Sequence, residues 1–385
     1  MSHADAVIAG AGVIGASCAF HLARAGLRVI VLERAPAPGA GSTARATGGF
    51  RAQYATEIGV RLSLLARDQL HAFHAETGVD PGFDPVGYLW LAASEPELAA
   101  LRTAHTLQRR CGLAEARLVA PGELRELAPH VAADGLAGGA WCPTDGVLRP
   151  TELQRGYLEA AARLGADVRW GEPVVELVRA GDWITSVVTP RGAYATDLVV
   201  DAAGPWAALV AALAGVALPV VPLRRQVAIT VPTAALPPRL PLTIWIADGF
   251  HLRVRDDRVL LLRPSPGDPS DPFCTDVDPA WLDDIAALAA TRVPALRGVP
   301  LDRPRAWAGL YEMSPDHHAL LGFAPGCGNL LLVNGSSGHG VMHAPALGLL
   351  AAELATSGTA RSLDIRPLRP SRFEEANPVR GSSLL

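Results

Sequence analysis

Apolar and polar positions recur along the chain with two periods, and the changes of period mark its elements. Ala6-Val7-Ile8-Ala9 reads as a buried strand, Val13 to Ala25 as a helix and Leu27 to Glu33 as a second strand, which is a βαβ start. Thr56 to Thr77 carries Ile58, Leu62, Leu65, Leu70 and Phe73 near helical spacing and is closed by Gly78. Ser94 with Glu97 gives the capping-box pattern of a helix to about Arg110, with Gly112 at its C-terminus, and Thr151 opens another that ends at Gly165. Strand patterns follow at Asp167 to Val178 and in a hairpin of Trp183 to Val188 with Tyr194 to Val200. Further strands are expected at Arg225 to Val231, Leu242 to Ala247, His251 to Arg255 and Val259 to Leu262, where the turns Asp248-Gly249 and Asp256-Asp257 predict antiparallel pairing. Asp278-Pro279 caps a helix through Ala290, and Ala306 to Tyr311 and Asn329 to Val333 read as buried strands returning to the first domain.

No internal repeat is visible, and helix-rich stretches alternate with hairpin-rich ones. This predicts an α/β fold in which a Rossmann-like nucleotide domain is interleaved with an antiparallel-sheet cap. The expected nucleotide domain takes residues 1–85, 146–218 and 303–368, and the substrate-binding cap takes 86–145 and 219–302. Residues 369–385, rich in proline, are expected as an extended tail with disordered last residues. A length of 385 residues suits two or three domains, and 49% hydrophobic with 19% charged residues argues against a disordered chain. The net charge of −4 gives no reason to seek nucleic acid. Five cysteines without CxxC spacing fit reduced thiols and a cytoplasmic location. The apolar opening lacks a basic leader and contains Asp5, and no other stretch approaches the roughly 20 apolar residues of a membrane span, so a soluble protein is expected.

Between the first strand and helix stand Gly10, Gly12 and Gly15, with Val13 and Ile14 between the last two, and Glu33 ends the second strand. Gly10 permits the tight turn, Gly12 leaves room for a pyrophosphate and Gly15 lets helix and strand pack, while the helix N-terminus faces the phosphates. Glu33 can accept hydrogen bonds from ribose hydroxyls. The pattern does not separate FAD from NAD, and a plain strand-turn-helix is its bland alternative.

Four segments together resemble the FAD-dependent oxidoreductases of the D-amino-acid oxidase superfamily, particularly the sarcosine oxidase and secondary-amine dehydrogenase branch. They are the βαβ unit, Gly41 to Arg51 with Ser42, Thr43, Thr47, Gly48 and Gly49, Val199 to Trp206 with Ala203, Gly204 and Trp206, and Asn334 to Pro345 with Gly338, His339, Gly340, Val341 and Met342. The resemblance implies FAD, expected to be noncovalent from the departures given below, with Arg34 and Val174 as further contacts, and oxidation of a C–H bond beside an amine nitrogen by hydride transfer to flavin N5. Pro345 is expected in the first turn of a helix whose N-terminus would face a reduced, anionic flavin. Arg51 matches the family arginine that grips a substrate carboxylate, a task suited to its planar fork. Tyr311, Met342, His251, Trp245 and His339 are further candidates for the reacting end, with Tyr54, Arg225 and Gln226 beside them.

Departures from the family pattern sharpen these expectations. Ala308 to Glu312 contains no cysteine for a flavin linkage, and Arg45 stands where other relatives use histidine. All 34 basic residues in the Lys+Arg total are arginine, so no lysine is present to promote reaction with oxygen, and Val259 to Leu262 occupies that place. Met342 replaces a second cationic carboxylate contact. His339 and His343 have metal-ligand spacing without a third ligand, so no metal is expected. His317, His318, His71 and His74 read as surface or packing residues. The sequence thus points to a flavin enzyme, EC 1.4 or 1.5 in type, acting on a small amine or amino acid, with oxygen or another acceptor. A flavin 2-hydroxyacid oxidoreductase, a non-catalytic flavin-stabilised partner protein and an NAD dehydrogenase are the alternatives.

Overall fold

The computed structural model describes residues 2–265, 267, 269–375 and 378–379. Its first sheet runs in the order Leu320–Phe323, Leu330–Asn334, Gly192–Asp201, Ser2–Ala9, Val29–Glu33 and Asp167–Trp170. Neighbours are parallel except at the Leu320–Phe323 edge. Ser2–Ala9 is central, with Ala6 and Ile8 packed on one face and Val7 on the other, so its apolar run shows no alternation. The helices Val13–Arg24, Pro150–Arg163 and Gly340–Ser357 pack together on one side of this sheet, with Glu57–Thr77 against the last. Thr56 caps Glu57–Thr77 by accepting the Gly59 N–H, and Gly78 ends it in the left-handed conformation.

The hairpin Trp183–Thr189 with Gly192–Asp201 is antiparallel, as its turn suggested. The stretch expected as one strand from Asp167 to Val178 is two: Asp167–Trp170 pairs with Val29–Glu33, and Glu176–Ala180 pairs with Trp183–Thr189. Gly171, at φ 67°, and Pro173 break it between them.

The second sheet runs Trp307–Met313, Val221–Ile229, Arg258–Leu262, His251–Arg255, Leu242–Trp245, Tyr88–Ala92, Gly138–Cys142 and Arg117–Val119. It is antiparallel except where Leu242–Trp245 meets Tyr88–Ala92. Trp307–Met313 therefore does not return to the first sheet. It pairs with Val221–Ile229 from Val221 opposite Met313 to Val227 opposite Trp307, and its alternating burial is that of a strand with two unlike faces.

Two other expectations are corrected. Residues 369–375 are not an extended arm: Pro370–Phe373 forms a 3-10 turn, and Arg372 is fully buried, its Nε and Nη2 donating to the Asp316 carboxylate at 2.8 and 2.9 Å. The expected disorder at 380–385 lies outside the described residues. Pro345 lies inside Gly340–Ser357, one turn later than expected, and with no N–H it leaves the Val341 carbonyl without its helical partner. None of the five cysteines is paired, and among the described residues no helix is long and apolar enough to cross a membrane.

Candidate active site

A cavity of about 700 Å³ lies between the C-terminal edge of the first sheet and the inner face of the second. Its walls fall into a glycine-rich group from the first sheet's turns and an aromatic, cationic group carried mainly by the second sheet.

The glycine-rich group contains Gly10, Gly12, Val13, Ile14, Glu33 and Arg34. The Glu33 carboxylate accepts the N–H groups of Ala11 and Ala35, both at 2.9 Å, which fixes it at the end of its strand. Val13 N–H donates to Thr43 Oγ1 at 3.0 Å, and Ser42 Oγ donates to the Leu310 carbonyl at 2.7 Å, so the second glycine loop is tied to the helix start and to the cap sheet. The Arg34 guanidinium lies 3.7 Å from the Trp206 ring centre, and Trp206 stacks on Phe273. Thr47, Gly48, Gly49, Val174, Ala203 and Gly204 also line the cavity. Gly15 does not: it stands behind the wall, where a Cβ would lie 1.9 Å from the Gly10 carbonyl oxygen. Its part is the close helix-to-strand approach, and it shapes the turn without reaching the cavity.

The second group centres on Arg51, which is 3% exposed. Its Nη1 donates to the Gln53 carbonyl at 2.7 Å and its Nη2 lies 3.1 Å from His339 Nε2. The guanidinium is 3.9 Å from the centre of the Tyr54 ring and 5.2 Å from that of Trp90. Burial, then the Arg51 charge, holds His339 well below the ordinary imidazole value, so its neutral Nε2 accepts from Arg51. Tyr54 donates to Met342 Sδ at 3.3 Å. His343 Nε2 is 2.8 Å from Ser63 Oγ, which itself donates to Gly59, so the imidazole is the donor. Burial brings His343 down to about 3. The two histidines are thus engaged with protein partners.

Across the cavity, Val227, Leu262, His251, Ile244 and Trp90 stand in one cross-strand row of the second sheet. The His251 Nδ1 lies 2.9 Å from the Gly249 carbonyl and donates to it, which leaves Nε2 as the acceptor of a ring that lines the cavity. Burial lowers the His251 pKa, and the Arg225 and Arg51 charges add to that. Arg225, Gln226 and Tyr311 also line the wall, with the Arg225 guanidinium 5.6 Å from the Tyr311 ring centre. Trp245 is corrected. Side chains alternate along a strand, so Ile244 faces the cavity while Trp245 points to the opposite core, against Phe250 and Arg292. His317 and His318, read from the sequence as surface or packing residues, line the cavity, and His318 Nε2 lies 2.9 Å from Thr56 Oγ1.

Sequence reasoning passed over several residues. Tyr88 and Trp90 lie on an apolar strand that carried no motif. Asp145, fully buried, accepts from Ala52 N at 2.8 Å and Gln53 Nε2 at 3.2 Å and so braces the backbone beside Arg51; burial raises it to about 6. Glu312 and Asp201 are buried beside the small-residue turns, each with one carboxylate oxygen lacking a partner.

The donor set fits FAD. One wall is glycine turns where side chains would fill the space, with Glu33 at the strand end, and the uncapped first turn of Gly340–Ser357 opens on the same cavity. No cysteine lines it. A family model described as FAD dependent oxidoreductase matches residues 5–354. FAD-dependent oxidoreductase domain-containing protein 1 of Xenopus laevis is 28% identical over 421 residues, spanning 98% of this chain and 84% of its own length. Glycine oxidase of Geobacillus kaustophilus is 30% identical over 359 residues, spanning 91% of this chain and 92% of its own. The solved structure of L-proline dehydrogenase from P. horikoshii matches with a TM-score of 0.90 at 27% identity, covering 98% of this chain and 99% of that one.

Proposed function

Because this chain belongs to the FAD-dependent oxidoreductase family and takes FAD as its cofactor, we propose that it oxidises the C–N bond of an amine or amino acid, secondary or cyclic, to an imine. Bound FAD supplies a hydride acceptor at N5. The chain's own part is to orient the substrate, keep its nitrogen neutral and exclude water. Arg51, held between Tyr54 and Trp90 and anchored on Gln53 and His339, grips the substrate carboxylate. This buried guanidinium in the cavity wall is the observation that carries the reading. His251 Nε2 and the aromatic faces of Tyr88, Trp90 and Tyr311 surround the same space and receive the amine. The names glycine oxidase and L-proline dehydrogenase each point to an amino acid, which supports the same substrate class.

The flavin is held without a covalent bond, since Ala308 to Glu312 offers no cysteine and Arg45 stands where other relatives use a linking histidine. With no lysine in the chain, the electrons pass to oxygen slowly or to another acceptor. The test is anaerobic bleaching of the yellow protein by a panel of primary, secondary and cyclic amino acids, amines without a carboxylate, and 2-hydroxyacids. Bleaching by secondary or cyclic amino acids is expected. Bleaching by hydroxyacids alone, or by nothing, overturns the proposal. Reoxidation by oxygen against an artificial acceptor then separates oxidase from dehydrogenase.

A further inference from the structure

Glu312 stands where the Trp307–Met313 strand, the turn Ala202-Ala203-Gly204 and the loop from Ser336 to Gly340 meet. Its Oε1 accepts the Ser336 N–H at 3.1 Å, whereas its Oε2 is buried without a hydrogen-bond partner, as is the Ser336 hydroxyl beside the carboxyl. A side chain at Gly204 would begin 3.8 Å from Oε2, and one at Gly340 would begin 3.6 Å from Oε1. Glu312 therefore stands in the cavity wall between two glycines whose missing side chains leave its carboxyl uncovered by them, with Oε2 set just behind that wall. Asp201 is fully buried nearby: its Oδ1 accepts the Ala203 N–H at 3.1 Å, and its Oδ2 is also partnerless.

A buried carboxyl oxygen without a hydrogen bond is costly to a fold, and its persistence at a cavity wall points to a ligand group that meets it. The chemistry of FAD says which group. Along that molecule the adenosine, the diphosphate, the ribityl polyol and the flavin ring follow in fixed order. The Gly10 turn that suits the diphosphate touches the Ala202 carbonyl on one side of Glu312. Tyr311, packed on Gly338, faces the reacting end on the other. Between diphosphate and ring only the polyol offers hydroxyls. We propose that Glu312 is a cofactor-binding residue whose Oε2 hydrogen-bonds a ribityl hydroxyl of FAD, an assignment that rests on the flavin reading of this cavity. Burial raises Glu312 to about 7 and, with the Glu312 charge beside it, Asp201 to about 8. Near neutral pH the pair keeps a proton, so Glu312 can donate to the polyol as well as accept from it.

The experiment titrates the apoprotein with FAD by flavin fluorescence, using native protein, Glu312→Leu and Glu312→Gln. FAD analogues lacking the 2′, 3′ or 4′ ribityl hydroxyl complete the set. Glu312→Leu is expected to weaken FAD about tenfold or more while its apoprotein loses no more stability than the missing acceptor for Ser336 N–H accounts for, and Glu312→Gln, which keeps that acceptor, to stay within about threefold of native affinity. One deoxy analogue is expected to bind native protein about tenfold more weakly, and with it the Glu312→Leu penalty disappears. The proposal is overturned if Glu312→Leu binds FAD like native, if its penalty persists with every analogue, or if its apoprotein is destabilised in step with lost binding. If Glu312→Leu does not fold, the analogue series on native protein decides, and equal affinity for all three analogues overturns the proposal. Native protein that binds no FAD at all sinks the flavin reading itself, and this proposal with it.

Discussion

At the scale of single residues, Arg51 is held by the fold and is proposed to grip the substrate carboxylate. Its guanidinium is buried among a carbonyl, a neutral imidazole and two aromatic faces, an environment matched to a planar, weakly hydrated cation. Lysine would keep the charge and lose the fork and the stacking. Arg51→Lys is therefore expected to raise the apparent dissociation constant of a carboxylate-bearing substrate by about 10- to 100-fold, the range of a charge-assisted hydrogen bond. Reduction by an amine without a carboxylate should change by less than about threefold. Anaerobic stopped-flow reduction of the flavin measures both, and equal losses for the two substrate types would remove the clamp assignment. The neighbouring Asp145, bonded to the backbone at Ala52, shows why Arg51 stays in register: the loop is braced from a residue 93 positions away. That brace has no local signature. By contrast, the difference between Ile244 and Trp245 follows from strand alternation alone once one face is known to border the cavity.

At the scale of elements, the C-terminal segment behaves as a packed part of the site's support. Arg372 donates twice to Asp316 and also to the carbonyls of Leu368 and His318, and Val379 N–H reaches the same carboxylate. Burial alone would raise Asp316, but the paired hydrogen bonds and charge of Arg372 outweigh it and hold the carboxyl below its usual range. Asp316, His317 and His318 line the cavity, so this ion pair fixes one wall. Arg372→Met leaves Asp316 buried and unpaired and is expected to cost about 3–5 kcal/mol, seen as a lower denaturant midpoint. A change under about 1 kcal/mol would show that the tail is dispensable. The sequence hid this because proline-rich segments read as extended, while Pro367 and Pro370 here occupy early positions of 3-10 turns that tolerate a missing N–H. The βαβ unit was legible for the opposite reason: strand, turn glycines, helix and Glu33 are local in sequence, and each has one structural reading. Trp307–Met313 shows the limit of such reading. Its period marks a strand, but nothing in the period says which sheet supplies its partner.

At the scale of the whole molecule, buried ionisable groups set opposing dependences on pH. Burial lowers His21 and His343 to about 3 and His130 to about 4, and lowers His251, His318 and His339 as well. The unfolded chain binds protons at these imidazoles below about pH 6.5 while the folded chain does not, so their contribution to stability is lost as pH falls. Burial raises Asp145 to about 6, Glu312 to about 7 and Asp201 to about 8. Here the folded chain holds protons that the unfolded one has released, so stability is lost as pH rises from the ordinary carboxylate range to each of those values. The histidine contribution is nearly complete above pH 7, where Glu312 and then Asp201 still lower stability, the latter until about pH 8. The apoprotein is therefore expected to be most stable close to pH 7. Asp201→Asn keeps the Oδ1 acceptor for Ala203 and removes the titration. Its stability relative to native should rise with pH from about 4, by up to about 1.4 kcal/mol per unit, and level off near pH 8. Denaturant melts of both apoproteins across pH 5 to 9 measure the difference. A flat difference curve would mean that Asp201 is ionised in the fold throughout, and that any proton held by the carboxyl pair at neutral pH sits on Glu312.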